Sequence, residues 1–360
     1  MAAVDILLTA YNAASTLRET LDSVRAQTFA DFRIVIVDDG STDATAQILA
    51  EYAASDSRFF IVTQPNGGLV AALNHGLSHC TAEFIARLDS DDVALPQRLE
   101  RQLAYLEAHP ACVAVGSQVT HIDENGAPLT GLPDAGEIAD ADASHAPARE
   151  PYVVHSTLMA RRAAVEAIGG YRYAPNCEDS DLFWRLSERG ALACIAEALL
   201  KYRVHSASIS STIVNGRIMA IGSQLSALSA LRRTAGRADI DFAPKLTAEL
   251  RQAGTLEKMW ELAAPMLNAD EAEHLRIAAA AKLMELARYR PYELDAGDCA
   301  FIRAALTFAR RLAPQNQREV NWYLTVTAAR LIRKGLLAEA FTLTPPASYP
   351  VAAARVLLAR

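Results

Sequence analysis

Residues 34–43, IVIVDDGSTD, decide how the first half of this chain folds. The four leading apolar residues are typical of a strand buried on both faces, as in a parallel sheet. Asp38 and Asp39 follow where that strand must end, and a glycine then allows the chain to turn. Ser41 or Thr42 is expected to cap a helix that starts at the end of this stretch. Ligands of open parallel sheets bind beyond the carboxyl ends of the strands, so both aspartates are placed to accept hydrogen bonds from a ligand.

A second apolar run, residues 84–88, ends in a denser group of acids. The residues that follow it are Asp89, Ser90, Asp91 and Asp92. Three carboxylates in a row of four residues repel one another, and a hard divalent cation with oxygen ligands relieves that repulsion. The next helix is expected to begin at Leu95-Pro96, because proline is favoured in a first helical turn. A solvated acidic loop without a ligand is the alternative that this segment alone leaves open.

Strand and helix patterns alternate through the first 110 residues. Strands are predicted at residues 4–8, 32–37, 59–63, 84–88 and 113–119. Helices are predicted near residues 16–27, 43–54, 69–78 and 96–109. Thr16 and Glu19 have the spacing of a capping box. This alternation predicts an α/β fold with a parallel sheet and right-handed crossovers, and the Gly-, Pro-, Ala- and Asp-rich residues 126–150 predict a long loop.

The composition changes from about residue 215, where Ala, Leu and Arg recur at helical spacing. One predicted helix places on a single face Phe301, Ala305, Phe308 and Leu312. We therefore expect a sheet domain at residues 1–212 and an α-helical C-terminal domain at residues 213–360.

The charge is divided unevenly along the chain. The net charge of −7 consists of −13 in residues 1–210 and +6 in residues 211–360. The acidic balance predicts no nucleic-acid partner. The basic residues of the C-terminal part either solvate helix faces, border a homodimer interface or contact an anionic membrane surface. Those residues are Arg303, Arg310, Arg311, Arg330, Arg333 and Lys334.

The remaining composition favours a cytoplasmic protein, either free or peripheral at the inner face of the cell membrane. Five scattered cysteines form no CxxC pair and show no metal-ligand spacing, which fits a reducing compartment. No run of about 18 apolar residues is present, so no transmembrane helix is expected. The first strand begins without a basic leader, so no signal peptide is expected.

These segments together resemble glycosyltransferase family 2, the inverting nucleotide-sugar transferases with the GT-A fold. The resemblance covers about the first 210 residues, and the order of the whole series makes it specific. The series is Thr9-Ala10-Tyr11-Asn12, Val37-Asp38-Asp39-Gly40-Ser41-Thr42-Asp43, Asn66-Gly67-Gly68-Leu69, Asp89-Ser90-Asp91-Asp92, His155-Ser156-Thr157-Leu158-Met159, Gly169-Gly170-Tyr171, Glu178-Asp179-Ser180-Asp181 and Tyr202-Arg203-Val204-His205.

The resemblance implies a nucleotide-sugar donor, with a UDP-sugar favoured over a dTDP- or GDP-sugar, and a glycan or lipid-linked acceptor. The implied nucleotide-binding residues are Thr9, Ala10, Tyr11, Asn12, Asp38, Asp39, Asn66, Gly67, Asp89 and Ser90. The ring of Tyr11 is expected to lie against the base. Asp39 is expected to accept a hydrogen bond from the N–H of a uracil or thymine.

The resemblance also implies a divalent cation, Mn²⁺ or Mg²⁺, on the departing diphosphate. Asp91 is the first predicted ligand, with Asp89, Asp92 and His205 beside it; manganese accepts mixed oxygen and imidazole ligands more readily than magnesium. Asp179 matches the position of the family's general base. The residues expected near the acceptor or the donor sugar are Glu178, Asp181, His155 and Trp184. An ordinary aspartate, with a pKa of about 4, is a weak base, which suits a reaction in which the acceptor proton leaves late.

The Gln-x-x-Arg-Trp motif of processive synthases is absent, so we expect non-processive transfer of one sugar in envelope polysaccharide synthesis. A sugar-phosphate nucleotidyltransferase would carry a Gly-rich basic loop after the first strand, where this chain has Tyr11-Asn12-Ala13-Ala14. A non-catalytic carbohydrate-binding descendant of a transferase would be expected to lose its acids, and these are present. A dinucleotide-binding oxidoreductase is disfavoured, because no G-x-G-x-x-G follows a strand.

Overall fold

A computed structural model describes residues 2–130, 138, 141–205, 211–290 and 292–358 of the chain. It divides into two compact units. The first, the sheet unit, comprises Met1–Asp140, Pro151–Arg172 and Leu182–His205. The second, the helical unit, comprises Ala141–Glu150, Tyr173–Asp181 and Ser206–Arg360. Two short segments of the helical unit thus precede residue 212, and independent folding of residues 1–212 and 213–360 stays a prediction.

One mixed sheet runs through the sheet unit. Its strands are β1 (Val4–Ala10), β2 (Phe32–Asp38), β3 (Phe59–Thr63), β4 (Phe84–Asp89), β5 (Val93–Ala94), β6 (Cys112–Ile122), β7 (Pro128–Leu129), β8 (Met159–Arg161) and β9 (Ala191–Arg203). The strand order is β3-β2-β1-β4-β8-β6-β9-β5, and β7 pairs with β6. The first four strands pair in parallel, whereas β8 runs antiparallel to both β4 and β6.

Helices connect these strands and then form the rest of the chain. The earlier ones are α1 (Leu17–Arg25), α2 (Thr45–Ser55), α3 (Leu69–His79), α4 (Arg98–Ala108), α5 (Arg162–Ala167) and α6 (Glu178–Ser187). The later ones are α7 (Ile213–Thr234), α8 (Leu246–Ala253), α9 (Leu256–Ala263), α10 (Ala269–Leu286), α11 (Ala296–Leu306), α12 (Pro314–Arg333), α13 (Leu337–Leu343) and α14 (Tyr349–Leu358). The predicted α/β fold, a mostly parallel sheet followed by a helical region, is confirmed.

Strand β1 shows why its sequence is apolar throughout. All seven of its residues are buried. Ile6 and Leu8 belong to one hydrophobic cluster and Leu7 to another, because successive side chains of a strand point to opposite faces of the sheet. A Cβ on Gly76 of α3 would collide with Leu7, so a glycine lets this helix pack close to β1. The sheet is therefore covered on both faces, as the sequence predicted.

The predicted capping box at Thr16 is wrong. The hydroxyl of Thr16 donates to the backbone oxygen of Ser90 at 3.0 Å, and the carboxylate of Glu19 pairs with Arg203. Thr16 therefore forms no side-chain cap on α1. Both side chains are used to fix a neighbouring loop instead of the helix end.

The next two predicted helix starts also differ from the structure. Helix α2 begins at Thr45, whose N–H donates to Asp43 at 2.9 Å, and not after a cap by Ser41 or Thr42. Helix α4 begins at Arg98, two residues after Pro96.

The sequence missed β5, β7, β8 and β9. Strand β9, ALACIAEALLKYR, consists mainly of residues with high helix propensity. Its parallel pairing with β6 along ten residue positions, from Cys112 to Ile122, overrides that propensity. In the predicted loop of residues 126–150 the structure shows β7 and an isolated bridge between Asp142 and Arg149, while residues 131–137 and 139–140 lie outside the described residues.

The predicted helical face running from Phe301 to Leu312 is also wrong. Helix α11 ends at Leu306, so Phe308 and Leu312 lie beyond it. Pro314 begins the next helix, and the residue before a proline is disfavoured in helical conformation. Across the described parts of the chain, no helix is long and apolar enough to span a bilayer.

Candidate active site

The loops after β1 and β2 are joined by side chains of both. Asn12 has a positive φ of 50°, its N–H donates to the Ser41 hydroxyl at 3.0 Å, and its side-chain oxygen accepts the N–H of Thr42 at 2.8 Å. Thr9 and Ala10 lie in the buried end of β1, whereas the side chain of Tyr11 is 53% exposed. An exposed ring beside a braced turn is available to lie against a flat ligand such as a nucleobase.

Asp39 is buried and organises a third loop. Its carboxylate accepts hydrogen bonds from the backbone N–H groups of Gly67 and Gly68, at 2.8 and 2.9 Å, and from the side-chain amide of Gln64 at 2.7 Å. Asn66 donates to the backbone oxygen of Asp39 at 3.0 Å. The predicted hydrogen bond from Asp39 to a base therefore has to share a carboxylate that already holds the 64–68 loop, and it stays a prediction.

Asp38 has a local role. It is buried, and its Oδ1 accepts the N–H of Ser41 at 3.0 Å. This bond fixes the turn after β2, in which Gly40 adopts a φ of 75°. A Cβ at Gly40 would contact the backbone of Asn66, so the turn and the 64–68 loop pack directly on each other.

The acidic loop after β4 is held from several sides. Asp89 accepts from the guanidinium of Arg87, and its N–H donates to the Ser156 hydroxyl at 2.9 Å. The backbone oxygen of Ser90 accepts from two hydroxyls of α1 and its cap, Thr16 and Thr20, both at 3.0 Å. The loop is thus rigidly placed before any ligand binds.

Asp91 and Asp92 differ in what they offer a ligand. Asp91 is partly exposed, and its Oδ2 lies 2.9 Å from Nε2 of His205. Asp92 is buried; its Oδ1 accepts the N–H of Arg203 at 2.8 Å, and its Oδ2 has no hydrogen-bond partner among the described residues. Burial, followed by the nearby carboxylate of Asp89, raises the pKa of Asp91, and burial with Asp89 and Asp91 raises the pKa of Asp92 well above its usual range.

These residues fit a divalent cation only in part. Within the described ranges, no three histidine, cysteine or acidic side chains are grouped as a metal site. The carboxylate and imidazole of Asp91 and His205 lie together, and both are donors that Mn²⁺ accepts. Asp89 is engaged by Arg87, and Asp92 is buried against Arg203. The structure brings Asp91 and His205 together and engages Asp89 and Asp92 with arginines, and the predicted set of four metal ligands stays a prediction.

Asp179 lies in the helical unit, in the first turn of α6. Its Oδ1 accepts the N–H of Ser180 at 2.7 Å. Burial, then the neighbouring carboxylate of Glu178 and that of Glu150, raise the pKa of Asp179 to about 8. An aspartate with this pKa is a far stronger base, once ionised, than the ordinary aspartate expected from the sequence.

Three other predicted sugar-contacting residues are placed less favourably. Asp181 and Trp184 are buried, with exposed fractions of 0% and 6%, so direct contact with a sugar is not supported for either. His155 donates to, or accepts from, the hydroxyl of Tyr171 at 2.7 Å. Burial, followed by the charge of Arg87, lowers the pKa of His155 well below its usual range, so the ring is neutral at physiological pH.

Sequence reasoning gave no role to Arg87 and Arg203, which fix the acidic loop. The side chain of Arg203 donates to the backbone oxygens of Asp91, at 2.8 Å, and Asp123, at 3.1 Å. A signal was present for Arg87, because a charged residue inside an otherwise apolar strand requires a buried partner. Arg203 stands in the Tyr202-Arg203-Val204-His205 segment of the resemblance, but no local pattern indicated these contacts, because they come from residues more than 75 positions away.

Sequence comparison matches residues 5–168 to the family described as Glycosyl transferase family 2. The putative glycosyltransferase EpsE of Bacillus subtilis (strain 168) is 36% identical over 213 residues, which cover 56% of this chain and 73% of EpsE. The amylovoran biosynthesis glycosyltransferase AmsE of Erwinia amylovora is 32% identical over 206 residues, which cover 56% of this chain and 76% of AmsE.

Solved structures show the same fold. TarS 1-349 of S. aureus, in complex with UDP-GlcNAc, has a TM-score of 0.50 and 18% identity, over 92% of each chain. The mannosyltransferase PcManGT of Pyrobaculum calidifontis, in complex with GDP-Man and Mn²⁺, has a TM-score of 0.52 and 16% identity, over 95% of this chain and 85% of that one. Together with the identity to EpsE and AmsE, these findings confirm the predicted resemblance: the chain belongs to glycosyltransferase family 2 and is a glycosyltransferase.

Proposed function

We propose that this glycosyltransferase moves one hexose-type residue from a nucleotide sugar, a UDP-sugar first among them, to a glycan or lipid-linked acceptor, with inversion and with a divalent metal ion. The observation that carries the proposal is the meeting of four loops at the carboxyl ends of β1, β2, β3 and β4, the last of which carries Asp91 paired with His205. Ligands of parallel sheets bind at this edge.

The donor half of the proposal rests on the sheet unit. Tyr11 offers a ring to the base, and the loop held by Asp39 presents backbone groups of Asn66 and Gly67. TarS and PcManGT, which share the fold, are described with UDP-GlcNAc and with GDP-Man and Mn²⁺. Asp91 and His205 would hold the metal ion, which supplies neutralisation of the charge that develops on the leaving diphosphate.

The acceptor half rests on Asp179. Its carboxylate would take the proton from the acceptor hydroxyl while that oxygen bonds to the anomeric carbon. The nucleoside diphosphate leaves from the opposite face of the sugar, so the configuration at the anomeric carbon is inverted. A pKa of about 8 matches the carboxyl to proton transfer near neutral pH.

Release of free nucleoside diphosphate from UDP-sugars in the presence of Mn²⁺ tests the proposal. Asp91→Ala should abolish metal-dependent donor turnover and leave the melting temperature close to that of the parent. Asp31→Ala is the matched control, because Asp31 is an exposed carboxylate at the opposite end of β2. Undiminished turnover in Asp91→Ala, or in excess EDTA, contradicts the metal assignment.

Synthesis of an envelope polysaccharide is the biological setting that we propose. AmsE is named for amylovoran biosynthesis, and the glycosyltransferase WbnJ of Escherichia coli is named for O-antigen biosynthesis. Docking at the cytoplasmic membrane face finds less support. Of the six predicted basic residues, Arg303 donates to a backbone oxygen, Arg311 pairs with Glu273, and both Arg330 and Lys334 pair with Glu293. A homodimer contact at this surface stays an equal alternative.

A further inference from the structure

The turn that carries Asp179 is tied to a buried ion pair of the helical unit. The hydroxyl of Ser180 donates to Oε2 of Glu150. The other oxygen of Glu150 lies 3.1 Å from the ammonium of Lys282, which also pairs with Glu285 at 3.0 Å. Glu150 and Lys282 are nearly buried, with side-chain exposures of 9% and 15%.

The backbone before Asp179 is fixed to α7 as well. A Cβ at Gly222 would overlap the backbone oxygen of Pro175, so only a glycine permits this approach. The thiol of Cys177 donates to the backbone oxygen of Met219 at 3.5 Å. The segment of residues 175–180 is thus held by contacts with α7 and, through Glu150, by the ion pair with Lys282 on α10.

We propose that Glu150, anchored by Lys282, is a positioning residue for the general base Asp179: it fixes the first turn of α6 through Ser180 and presents a negative charge to that base. This inference rests on the role given to Asp179 under the proposed function. It assigns the helical unit a part in the chemistry, beyond any contact with an acceptor or a membrane.

The charge pattern around Asp179 explains what Glu150 does. The titratable groups that face Asp179 are Glu178 on α6, Glu150 from the preceding segment and the thiol of Cys177, and the two carboxylates disfavour its ionised form. Lys282 and Glu285, on α10, face Glu150, and the phenol of Tyr289 interacts with both. Lys282 supplies the counter-charge for a carboxylate in a nearly buried place. The negative charge of Glu150 in turn makes Asp179 a stronger base.

The test compares Glu150→Gln with the parent. The glutamine keeps an oxygen that accepts the Ser180 hydroxyl and removes only the charge. The titration of Asp179 can be followed by carboxyl ¹³C shifts in aspartate-labelled protein, with the signal assigned by its loss in Asp179→Asn. We expect its midpoint to move to lower pH by about half a unit, and the acid limb of kcat to move with it.

Glu273→Gln is the matched control, since Glu273 lies on α10, the helix that carries Lys282, and is also paired with an arginine, Arg311. Glu273→Gln should leave unchanged both the titration curve of Asp179 and the pH profile of kcat. Lys282→Met should lower kcat while leaving the donor KM unchanged, and Lys282→Arg should restore part of the rate.

An Asp179 midpoint that does not move in Glu150→Gln, or that moves equally in Glu273→Gln, overturns the inference. The NMR titration needs no substrate, so it decides this point even if no nucleotide sugar is turned over. If no nucleotide sugar is turned over but the Asp179 midpoint still moves in Glu150→Gln, the proposed function is refuted and the inference about Glu150 stands.

Discussion

Arg203→Met should loosen the acidic loop and destabilise the sheet unit. Arg203 is 4% exposed and ends β9. Its guanidinium donates to the backbone oxygens of Asp91, Asp123 and Glu124 and pairs with Glu19. Methionine retains the apolar stem and the backbone N–H, so the substitution removes only the donors.

The expected cost follows from these contacts. A partly buried carbonyl that loses its donor costs about 1–3 kcal/mol, and this applies to Asp91 and Asp123. Glu124 is exposed, so water can replace its lost bond. The pair with Glu19 adds at most about 1 kcal/mol, because the Glu19 side chain is 54% exposed. We expect a loss of about 2–7 kcal/mol in the free energy of unfolding, with a fall in melting temperature of about 2–4 °C for each kcal/mol.

Urea unfolding, followed by circular dichroism, measures this loss. Arg18→Met is the matched control: Arg18 also pairs with a glutamate, Glu51, at 2.7 Å, but both side chains are about half exposed. It should leave the free energy of unfolding close to that of the parent, because an exposed ion pair contributes little. The same protein, melted with Mn²⁺ and UDP, should show a smaller stabilisation by ligand than the parent, because Asp91 is displaced. Equal unfolding free energies for Arg203→Met and Arg18→Met would refute the reasoning.

Three further outcomes are expected. Asp179→Asn should reduce kcat by at least about 100-fold with little change in donor KM, as measured by initial rates; survival of transfer within a few fold would move the base elsewhere. Glu271→Gln should cost about 2 kcal/mol in urea unfolding at pH 7, because Arg232 and the other groups bonded to this carboxylate hold the pKa of Glu271 at about 2, below its unfolded value of 4.5. That stabilisation is present above about pH 4.5 and is lost as the pH falls towards 2, so the variant and the parent should converge there; a constant difference would contradict it. In liposome co-sedimentation at physiological salt we expect little preference for anionic vesicles, since Arg310 and Arg333 alone would supply about 1 kcal/mol each; strong anionic binding would revive the docking proposal.

The sequence predicted the parts of the fold that local patterns determine. Strands β1 to β4 are mainly apolar runs, and acids follow β2 and β4. The apolar runs could be recognised because parallel strands are buried on both faces. Strand β9 could not be predicted from its local sequence, because its alanines and leucines have high helix propensity. Only the pairing with β6 makes this segment a strand. Long-range pairing of this kind is outside the reach of a short sequence window.

In the candidate site, too, the positions of residues were predictable from the sequence and their contacts were not. The positions of Tyr11, Asp39 and Asp91 just after the ends of strands were predicted, and the structure places them there. What those side chains contact was not predictable: Asp39 proved to hold a loop, and Asp92 proved to be buried against Arg203. The raised pKa of Asp179 comes first from burial, then from Glu178 and from Glu150, which is 29 residues away in the chain. Burial and a distant carboxylate are not readable from the local sequence, so only an ordinary weak base was predicted.

The three carboxylates of the acidic loop repel one another, and buried arginines offset part of that repulsion. Arg87 and Arg98 are buried behind the loop, at 1% and 2% exposure, and Arg87 bonds directly to Asp89. Burial lowers the pKa of Arg98 to about 9, so both guanidiniums stay charged at neutral pH. These fixed charges offset part of the repulsion that the sequence alone attributed to a missing metal ion. Removal of metal should therefore abolish donor turnover without unfolding the sheet unit, and substitution of Arg87 should unfold it whether metal is present or not.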